Sequence, residues 1–225
     1  YSGIYPEQIT LPFSGRDNHP IVFKAIGEDD VVISGLNVEV DNYGGLWQIV
    51  GKEHISIIGF RLENSNGSGF RVEQCSNILV ESCSTYNTWS SGIKFRECHN
   101  FAARGNEIRK ACNGGNEECI TVAKSRNFDI CENTVHDGSA LYLGGEGIGI
   151  KAGSHHGMIH HNHVFDLPAN YNPETSPDGE VGIYIDAMSF GSGIPIPGHE
   201  IWADSLLHDI DVFSNVVSTP VGIAV

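Results

Sequence analysis

Long hydrophobic runs are absent from this sequence of 225 residues, and no apolar stretch approaches the ~20 residues of a membrane-spanning helix. No stretch of ten residues has the apolar period of an amphipathic helix. Basic residues are scarce: 13 Lys and Arg stand against 28 Asp and Glu, a formal net charge of −15. Such a charge repels nucleic acid and anionic membranes, which excludes both as partners. The acidic residues either confer solubility or accompany a ligand, such as a neutral sugar, a cation, or an anionic sugar held by a local basic patch.

Cysteine motifs are also lacking. The six cysteines form no CxxC pair, and no His/Cys spacing resembles a zinc site. Their even number permits disulfides, but most of them fall at packed positions of the repeat described next. We therefore expect reduced, buried cysteines.

A short apolar motif recurs along the chain with the form Φ-x-Φ-x-x-[N/C/F], where Φ is apolar and Gly157 is the one exception. It occupies residues 55–60, 78–83, 101–106, 128–133, 157–162 and 210–215. The last residues of successive copies are 23, 23, 27, 29 and 53 positions apart. Similarity at such a period is typical of repeat architectures.

Further segments between the copies alternate apolar and other residues with period two, as strands with one buried face do. These segments are 69–75, 92–98, 118–124, 147–153, 182–188 and 222–225. The side chains predicted to point inward are Phe70, Val72, Ile93, Phe95, Ile120, Val122, Ile148, Ile150, Ile183 and Ile185.

Coils of roughly 22–25 residues with two or three short strands are typical of a parallel β-helix. We predict one all-β domain over residues 1–225, a right-handed parallel β-helix of about seven to eight coils. The alternative, an α/β solenoid, lacks helical segments. Because the last coil is incomplete at Val225, we expect this chain to be a fragment of a longer β-helix.

Polar residues recur where the chain turns between strands. Asn106, Asn133, Asn162 and Asn215 end their copies of the motif, so their amides should stack and bond to the turn backbone and to each other. Asparagine also tolerates the left-handed conformation of a tight turn. Cys75 and Cys98 fall at equivalent places in adjacent coils.

Four insertions enlarge the later coils beside one strand column, at residues 110–117, 138–145, 167–181 and 188–208. They carry Tyr142, Tyr171, Phe190 and Trp202. Long loops with aromatic side chains suit a groove for sugar rings, which predicts Tyr142, Tyr171 and Trp202 as substrate contacts. The alternative is that these aromatics pack the loops onto the coil.

Two ladders of side chains should face outward on the strands of that column. One reads Arg71, Lys94, Thr121, Gly149 and Tyr184, and the next reads Glu73, Arg96, Ala123, Lys151 and Asp186. Lys151 and Asp186 are thus predicted neighbours, one strand spacing of about 4.8 Å apart. Gly149, without a side chain, should leave space for a ligand.

A lysine, a tyrosine and a carboxylate on one face can abstract a proton next to a sugar carboxylate and protonate the leaving oxygen. Lys151 would be the base, which requires a lowered pKa, and Tyr184 the acid. Lys94 and Arg96 would bind the sugar carboxylate. The alternative is a salt bridge between Lys151 and Asp186.

Glu118 and Glu146 each lie two residues before the first inward isoleucine of their strand, so they should stack at the strand entrance. Two neighbouring carboxylates can bind Ca²⁺ or share acid–base work. A salt bridge to Lys124 or Lys151 would equally offset their repulsion. The histidines at 155, 156, 160, 161 and 163 span a turn and a strand, so alternate rings should face opposite ways and no metal site is predicted there.

The stretches NEECITVAKSRNFDICENTVHDG, GEGIGIKAGSHHGMIHHNHVFDL and VGIYIDA resemble bacterial right-handed parallel β-helix repeat proteins of the carbohydrate-active type. That superfamily resembles pectate lyases and several glycoside hydrolases. The resemblance implies secreted or periplasmic action on a plant or algal polysaccharide, although the chain shows no signal peptide. The group's strand resembles EGIDIK, with an acid where this sequence has Gly149.

Two classes of function therefore stand. The first is a polysaccharide-cleaving enzyme, with β-elimination on a uronate-containing glycan ranked above hydrolysis by two of Glu118, Glu146 and Asp186. The second is a non-catalytic glycan-binding, adhesin-like or spike-like β-helix. Fold alone does not separate them.

Overall fold

The computed structural model describes residues 2–26, 30–114, 117–138, 145–167, 181–186 and 207–225. Within these ranges the chain forms 23 short strands. The described residues include no helix of the length and apolarity needed to span a bilayer. Short strands agree with the period-two patterns in the sequence.

The strands belong to three sheets. Sheet A contains β1 (Gly3–Tyr5), β4 (Val31–Ser34), β7 (Arg61–Ser65), β10 (Ser84–Thr88), β13 (Glu107–Arg109), β16 (Thr134–His136), β19 (His163–Phe165) and β22 (Val216–Ser218). Sheet B contains β2 (Ile9–Thr10), β5 (Gly45–Val50), β8 (Ser68–Glu73), β11 (Ile93–Arg96), β14 (Ile120–Ala123), β17 (Ile148–Lys151), β20 (Val181–Asp186) and β23 (Val221–Ala224). Sheet C contains β3 (Ile21–Lys24), β6 (Glu53–Ile58), β9 (Ser76–Glu81), β12 (His99–Arg104), β15 (Arg126–Cys131), β18 (His155–His160) and β21 (His208–Phe213).

Each strand pairs in parallel with the strand three positions later in the chain, so every coil contributes one strand to each sheet. Among the described residues, sheets A and B each have eight strands and sheet C has seven. This winding confirms the predicted parallel β-helix and its number of coils.

The core fills the space enclosed by the three sheets. Ile93 pairs with Phe70 on one side and Ile120 on the other, and this column continues to Ile148 and Ile183. All ten side chains predicted to point inward are buried, the most exposed being Ile185 at 9%. Burying each such side chain stabilises the fold by roughly 1.5–3 kcal/mol. A slip by one residue would turn all of them outward, so this burial fixes the register of sheet B.

The predicted asparagine ladder is present at the turn after sheet C. The backbone N–H and the side-chain amide of Asn106 both donate to Oδ1 of Asn133, at 3.0 and 2.9 Å. Asn133 donates in the same way to Asn162, and Asn162 to Asn215. Asn106, Asn133 and Asn162 are buried, so the ladder satisfies polar groups that water does not reach.

The left-handed conformation at this turn belongs to different residues from those we predicted. It is adopted by the residue before each asparagine: Gly105 (φ 61°), Glu132 (φ 59°), His161 (φ 55°) and Ser214 (φ 53°). The asparagines thus contribute their inward amides, while positive φ falls on the residue before each of them.

A second polar ladder begins at cysteines. The backbone N–H of Cys98 donates to Oγ of Ser125 at 3.0 Å, and the N–H of Ser125 donates to Oγ of Ser154 at 3.2 Å. Cys75 is the neighbour of Cys98 in the preceding coil. All six cysteines are unpaired and buried, as expected from their positions in the repeat.

Candidate functional site

The outer face of sheet B carries the candidate site, and the register there is as predicted. Lys151 pairs with Asp186, and Gly149 pairs with Tyr184, between β17 and β20. One coil earlier, Thr121 pairs with Gly149. The two ladders read from the sequence therefore lie side by side on one sheet.

Glu118 folds back over this face from the entrance of β14. Its carboxylate accepts a hydrogen bond from the Thr121 hydroxyl at 2.8 Å on Oε2. Oε1 lies 2.8 Å from Nζ of Lys151. Only 4% of Glu118 is exposed, so the carboxylate is held in place by partners at both oxygens.

Gly149 lies directly beneath this side chain. A Cβ at position 149 would overlap Cγ of Glu118 and lie 2.6 Å from its Cδ. The space that we expected to be open to a ligand is therefore occupied by Glu118. Thr121, expected to face solvent, is fully buried for the same reason.

Glu117 also lies at this candidate site, and the sequence reasoning missed it. Its Oε1 lies 2.7 Å from Nζ of Lys94, and its Oε2 lies 3.8 Å from Nζ of Lys151. It thus links two lysines that belong to different coils. The adjacent acids Glu117 and Glu118 could have pointed to this contact. Glu117, however, is the last residue of an insertion, where strand alternation does not set the direction of a side chain.

Lys151 is paired with acids of the preceding coil. Burial disfavours its ammonium form, but the carboxylates of Glu118 and Glu117 outweigh this effect and raise the pKa of Lys151 above its usual value. One alternative from the sequence, a salt bridge between Glu118 and Lys151, is confirmed. The lowered pKa that a lysine base requires is not what this environment produces.

Glu146 lies beside Glu118, because the backbone N–H of Cys119 donates to the carbonyl of Glu146 at 2.7 Å. The predicted stacking of the two acids at the strand entrance is therefore confirmed. Burial raises the pKa of Glu146, and the negative charge of Glu118 raises it further. Glu146 therefore holds its proton to a higher pH than an ordinary glutamic acid does.

Tyr184 lies over the same face. Burial, the charge of Asp186 and a hydrogen bond to Asp186 raise the pKa of the Tyr184 phenol, with smaller contributions from Glu146 and Glu118. Its hydroxyl therefore stays protonated over the neutral range and can act as a hydrogen-bond or proton donor.

The remaining predicted site residues are placed as follows. Arg96 pairs with Ala123 in the sheet and forms an ion pair with Glu97 at 3.5 Å. Lys124 approaches Glu97 at 4.0 Å. Three predicted substrate contacts lie outside the described residues: Tyr142, Tyr171 and Trp202. Most of the insertions at 138–145, 167–181 and 188–208 also lie outside them, whereas 110–117 is described except for residues 115 and 116.

Solved structures with the same fold include two enzymes. The A-module of a mannuronan C-5 epimerase from Azotobacter vinelandii superposes with a TM-score of 0.55 at 13% identity, covering 91% of this chain and 53% of that chain. A pectate lyase, Pel9A, superposes with a TM-score of 0.52 at 12% identity, covering 100% of this chain and 68% of that chain. This chain thus spans about half the length of the epimerase module. At these identities the likeness is one of fold.

No curated protein matches the sequence. The family described as "Right handed beta helix region" matches residues 23–191. Since that match spans most of the sequence and the three parallel sheets have the corresponding architecture, this chain belongs to the right-handed β-helix family.

Proposed function

We propose that this chain is a carbohydrate-active enzyme that cleaves a polysaccharide on the outer face of sheet B. The observation that carries the proposal is Glu146, an acid whose pKa is raised by burial and by Glu118 on a face that also bears Asp186. Two carboxylic acids on one face are the groups that acid–base cleavage of a glycosidic bond requires.

Hydrolysis fits this arrangement best. Glu146 donates a proton to the leaving glycosidic oxygen. Asp186 either takes a proton from the water that attacks the anomeric carbon, or attacks that carbon itself to form a glycosyl ester that water then hydrolyses. Lys151 serves as a cation, because Glu117 and Glu118 stabilise its ammonium form. In this reaction Lys151 is a cation and not the base that the sequence suggested.

β-Elimination is the second candidate, favoured by two observations. Lys94 and Lys151 lie on either side of Glu117 and can bind a sugar carboxylate, while the protonated Tyr184 can donate to the leaving oxygen. The epimerase and the lyase with the same fold are named for mannuronan and pectate, both polysaccharides. In this reaction Lys151 would have to lose its proton in spite of Glu118.

Calcium at Glu118 and Glu146 stays a prediction. Calcium takes 6–8 oxygen ligands, whereas both oxygens of Glu118 already have partners in Thr121 and Lys151. The pair as arranged does not fit a calcium ion, so we derive no step through one. Activity that survives a chelator would agree with this geometry.

A panel of pectate, alginate and neutral xylan tests the proposal. New reducing ends without absorbance from an unsaturated product would support hydrolysis, and that absorbance would support elimination. Glu146→Gln should lower hydrolysis about 10²–10⁴-fold. Glu107→Gln, on sheet A and far more exposed, is the matched control. Binding without product on any substrate would overturn catalysis in favour of a glycan-binding module.

We propose that the protein acts outside the cytoplasm, in the periplasm or the medium, because intact polysaccharides do not cross the cell membrane. Immunodetection in fractionated cells of the native host tests this. Protein confined to the cytoplasmic fraction would contradict it.

A further inference from the structure

Three histidines come together on sheet C, away from the carboxylates of sheet B. His155 pairs with His208 between β18 and β21, and His156 follows His155. One ligand atom from each of the three residues lies within 4.8 Å of the other two. The rings of His155 and His208 stack with centroids 4.7 Å apart, and His156 meets both edge-on at 5.1 and 5.3 Å.

The alternation that we expected across the histidine run fails at His156. Its backbone is left-handed, with φ of 53°, which interrupts the period of two and places the rings of His155 and His156 beside each other. His208 comes from the next coil, at a distance in sequence that no local pattern reveals. The group therefore exists only in the folded chain.

Hydrogen bonds orient two of these rings as in known metal centres. Nδ1 of His155 lies 3.0 Å from the carbonyl oxygen of Gly153, and Nδ1 of His208 lies 2.9 Å from Oδ2 of Asp209. A carbonyl and a carboxylate both accept, so Nδ1–H is the donor in each case and the lone pair of Nε2 is left for a ligand. Metal-bound histidines characteristically donate their other N–H in this way.

The site is open to ions from solvent. His156 and Asp209 line a groove of about 730 Å³ on the outer face of sheet C. Oδ2 of Asp209 also lies 3.4 Å from Nε2 of His156, so this carboxylate contacts two of the three histidines. An acidic partner adds negative charge where a cation would bind.

We propose that His155, His156 and His208 bind a divalent transition-metal ion, with Asp209 orienting His208. Neutral imidazoles suit Zn²⁺, Ni²⁺ and Cu²⁺, whereas Ca²⁺ and Mg²⁺ require oxygen ligands. Three histidines leave one position of a tetrahedral zinc ion open to water or to a further ligand. This site is independent of the proposed cleavage on sheet B.

A second group with metal-ligand chemistry lies nearby and is already satisfied. Asp129, Cys131 and His160 have ligand atoms equally close together. Arg104, however, donates to Asp129 at 3.2 Å and to Cys131 at 3.4 Å, so a guanidinium already holds two of the three groups. Burial also raises the pKa of Cys131, which keeps its sulfur protonated. The histidine group lacks such an internal cation among the described residues.

Calorimetric titration of the metal-free, untagged chain with ZnCl₂ at neutral pH tests the proposal. We expect one saturable equivalent and a rise in Tm, with no response of this site to CaCl₂. Co²⁺ should give the visible absorption of a four-coordinate nitrogen site. Absence of saturable Zn²⁺ binding would overturn the proposal.

The test substitutions use residues that occupy the equivalent positions in other coils, so the variants should still fold. Asn77, Asn100 and Asn127 occupy the position of His156 in other coils with the same left-handed φ, and Ser76 occupies the position of His208. His156→Asn and His208→Ser should each abolish binding of the one equivalent of Zn²⁺. Asp209→Asn should lower the affinity for Zn²⁺ about 10–100-fold. His54→Asn, the equivalent of His156 four coils earlier, is the control and should bind as wild type. Binding unchanged in His156→Asn and His208→Ser would also refute the site.

Discussion

The side chain of Glu118 occupies the space above Gly149, where any Cβ would lie 2.6 Å from Cδ of the glutamate. The glycine does not serve a turn, because it lies inside β17 and its backbone is that of an ordinary strand. Its missing side chain lets a carboxylate from the preceding coil reach Lys151.

Substitution of Gly149 should disturb the site more than the fold. Gly149→Ala forces Glu118 away from Thr121 and Lys151, so we expect a loss of stability of about 1–3 kcal/mol and a loss of polysaccharide cleavage. Urea unfolding and the substrate panel measure the two effects. Gly222→Ala is the matched control, since nothing lies within 4 Å of a Cβ at that position of sheet B. Full activity in Gly149→Ala would show that Glu118 does not need its present position.

Removal of the negative charge at Glu118 should shift two pKa values downward. The pKa of Glu146 is raised by burial and by the charge of Glu118, and the pKa of Lys151 is raised mainly by the same charge against the effect of burial. A proton donor loses activity as pH rises through its pKa. Glu118→Gln should therefore move the alkaline limb of the pH–rate profile to lower pH. An unshifted limb would argue against Glu146 as the donor.

Lys151 should contribute to stability as well as to the site. Its side chain and that of Glu118 are 13% and 6% exposed, so Lys151→Met leaves a carboxylate buried without its cation. We expect a cost of about 3–5 kcal/mol at neutral pH, partly recovered in Lys151→Met/Glu118→Gln. Denaturant unfolding of the single and double variants gives the coupling free energy between Lys151 and Glu118. A double variant as unstable as the sum of the singles would mean that the two groups do not interact.

The sign of the pH dependence follows from the raised pKa of Lys151. A lysine whose pKa is higher in the folded state stabilises the fold fully below its unfolded value of about 10.4, and that contribution disappears as pH rises through the folded value. Wild-type protein should thus lose stability relative to Lys151→Met on the alkaline side. Parallel stability profiles above pH 10 would contradict the shift.

The asparagine ladder should be sensitive to a single truncation in its middle. Asn133→Ala removes the acceptor of both donors of Asn106 and leaves them buried. We expect a loss of about 1–3 kcal/mol for each group left without a partner, measured by thermal or urea unfolding. Asn127→Asp is the control, at an exposed position with φ of 54° that aspartate also tolerates. It changes only a solvent-exposed contact with Asn100, so stability should change by less than about 0.5 kcal/mol. Equal stability of the two variants would refute the ladder's contribution.

The sequence alone determined the coils, the register of sheet B and the inward residues. A side-chain period of two and a coil repeat leave one arrangement in which Phe70, Ile93 and Ile120 all face the interior. The pairing of Lys151 with Asp186 followed from the same count. These features were predictable because each depends on strand positions that are fixed by alternation.

Only the tertiary structure decided what covers that sheet and which side chains meet outside the strand period. Glu117 and Glu118 reach Lys151 from a strand entrance, where no backbone period sets the direction of a side chain. His156 joins His155 because of a left-handed residue, and His208 arrives from the next coil across a long insertion. Alternation governs residues inside strands, whereas these contacts arise at turns and entrances, where the path of the chain has to be known first.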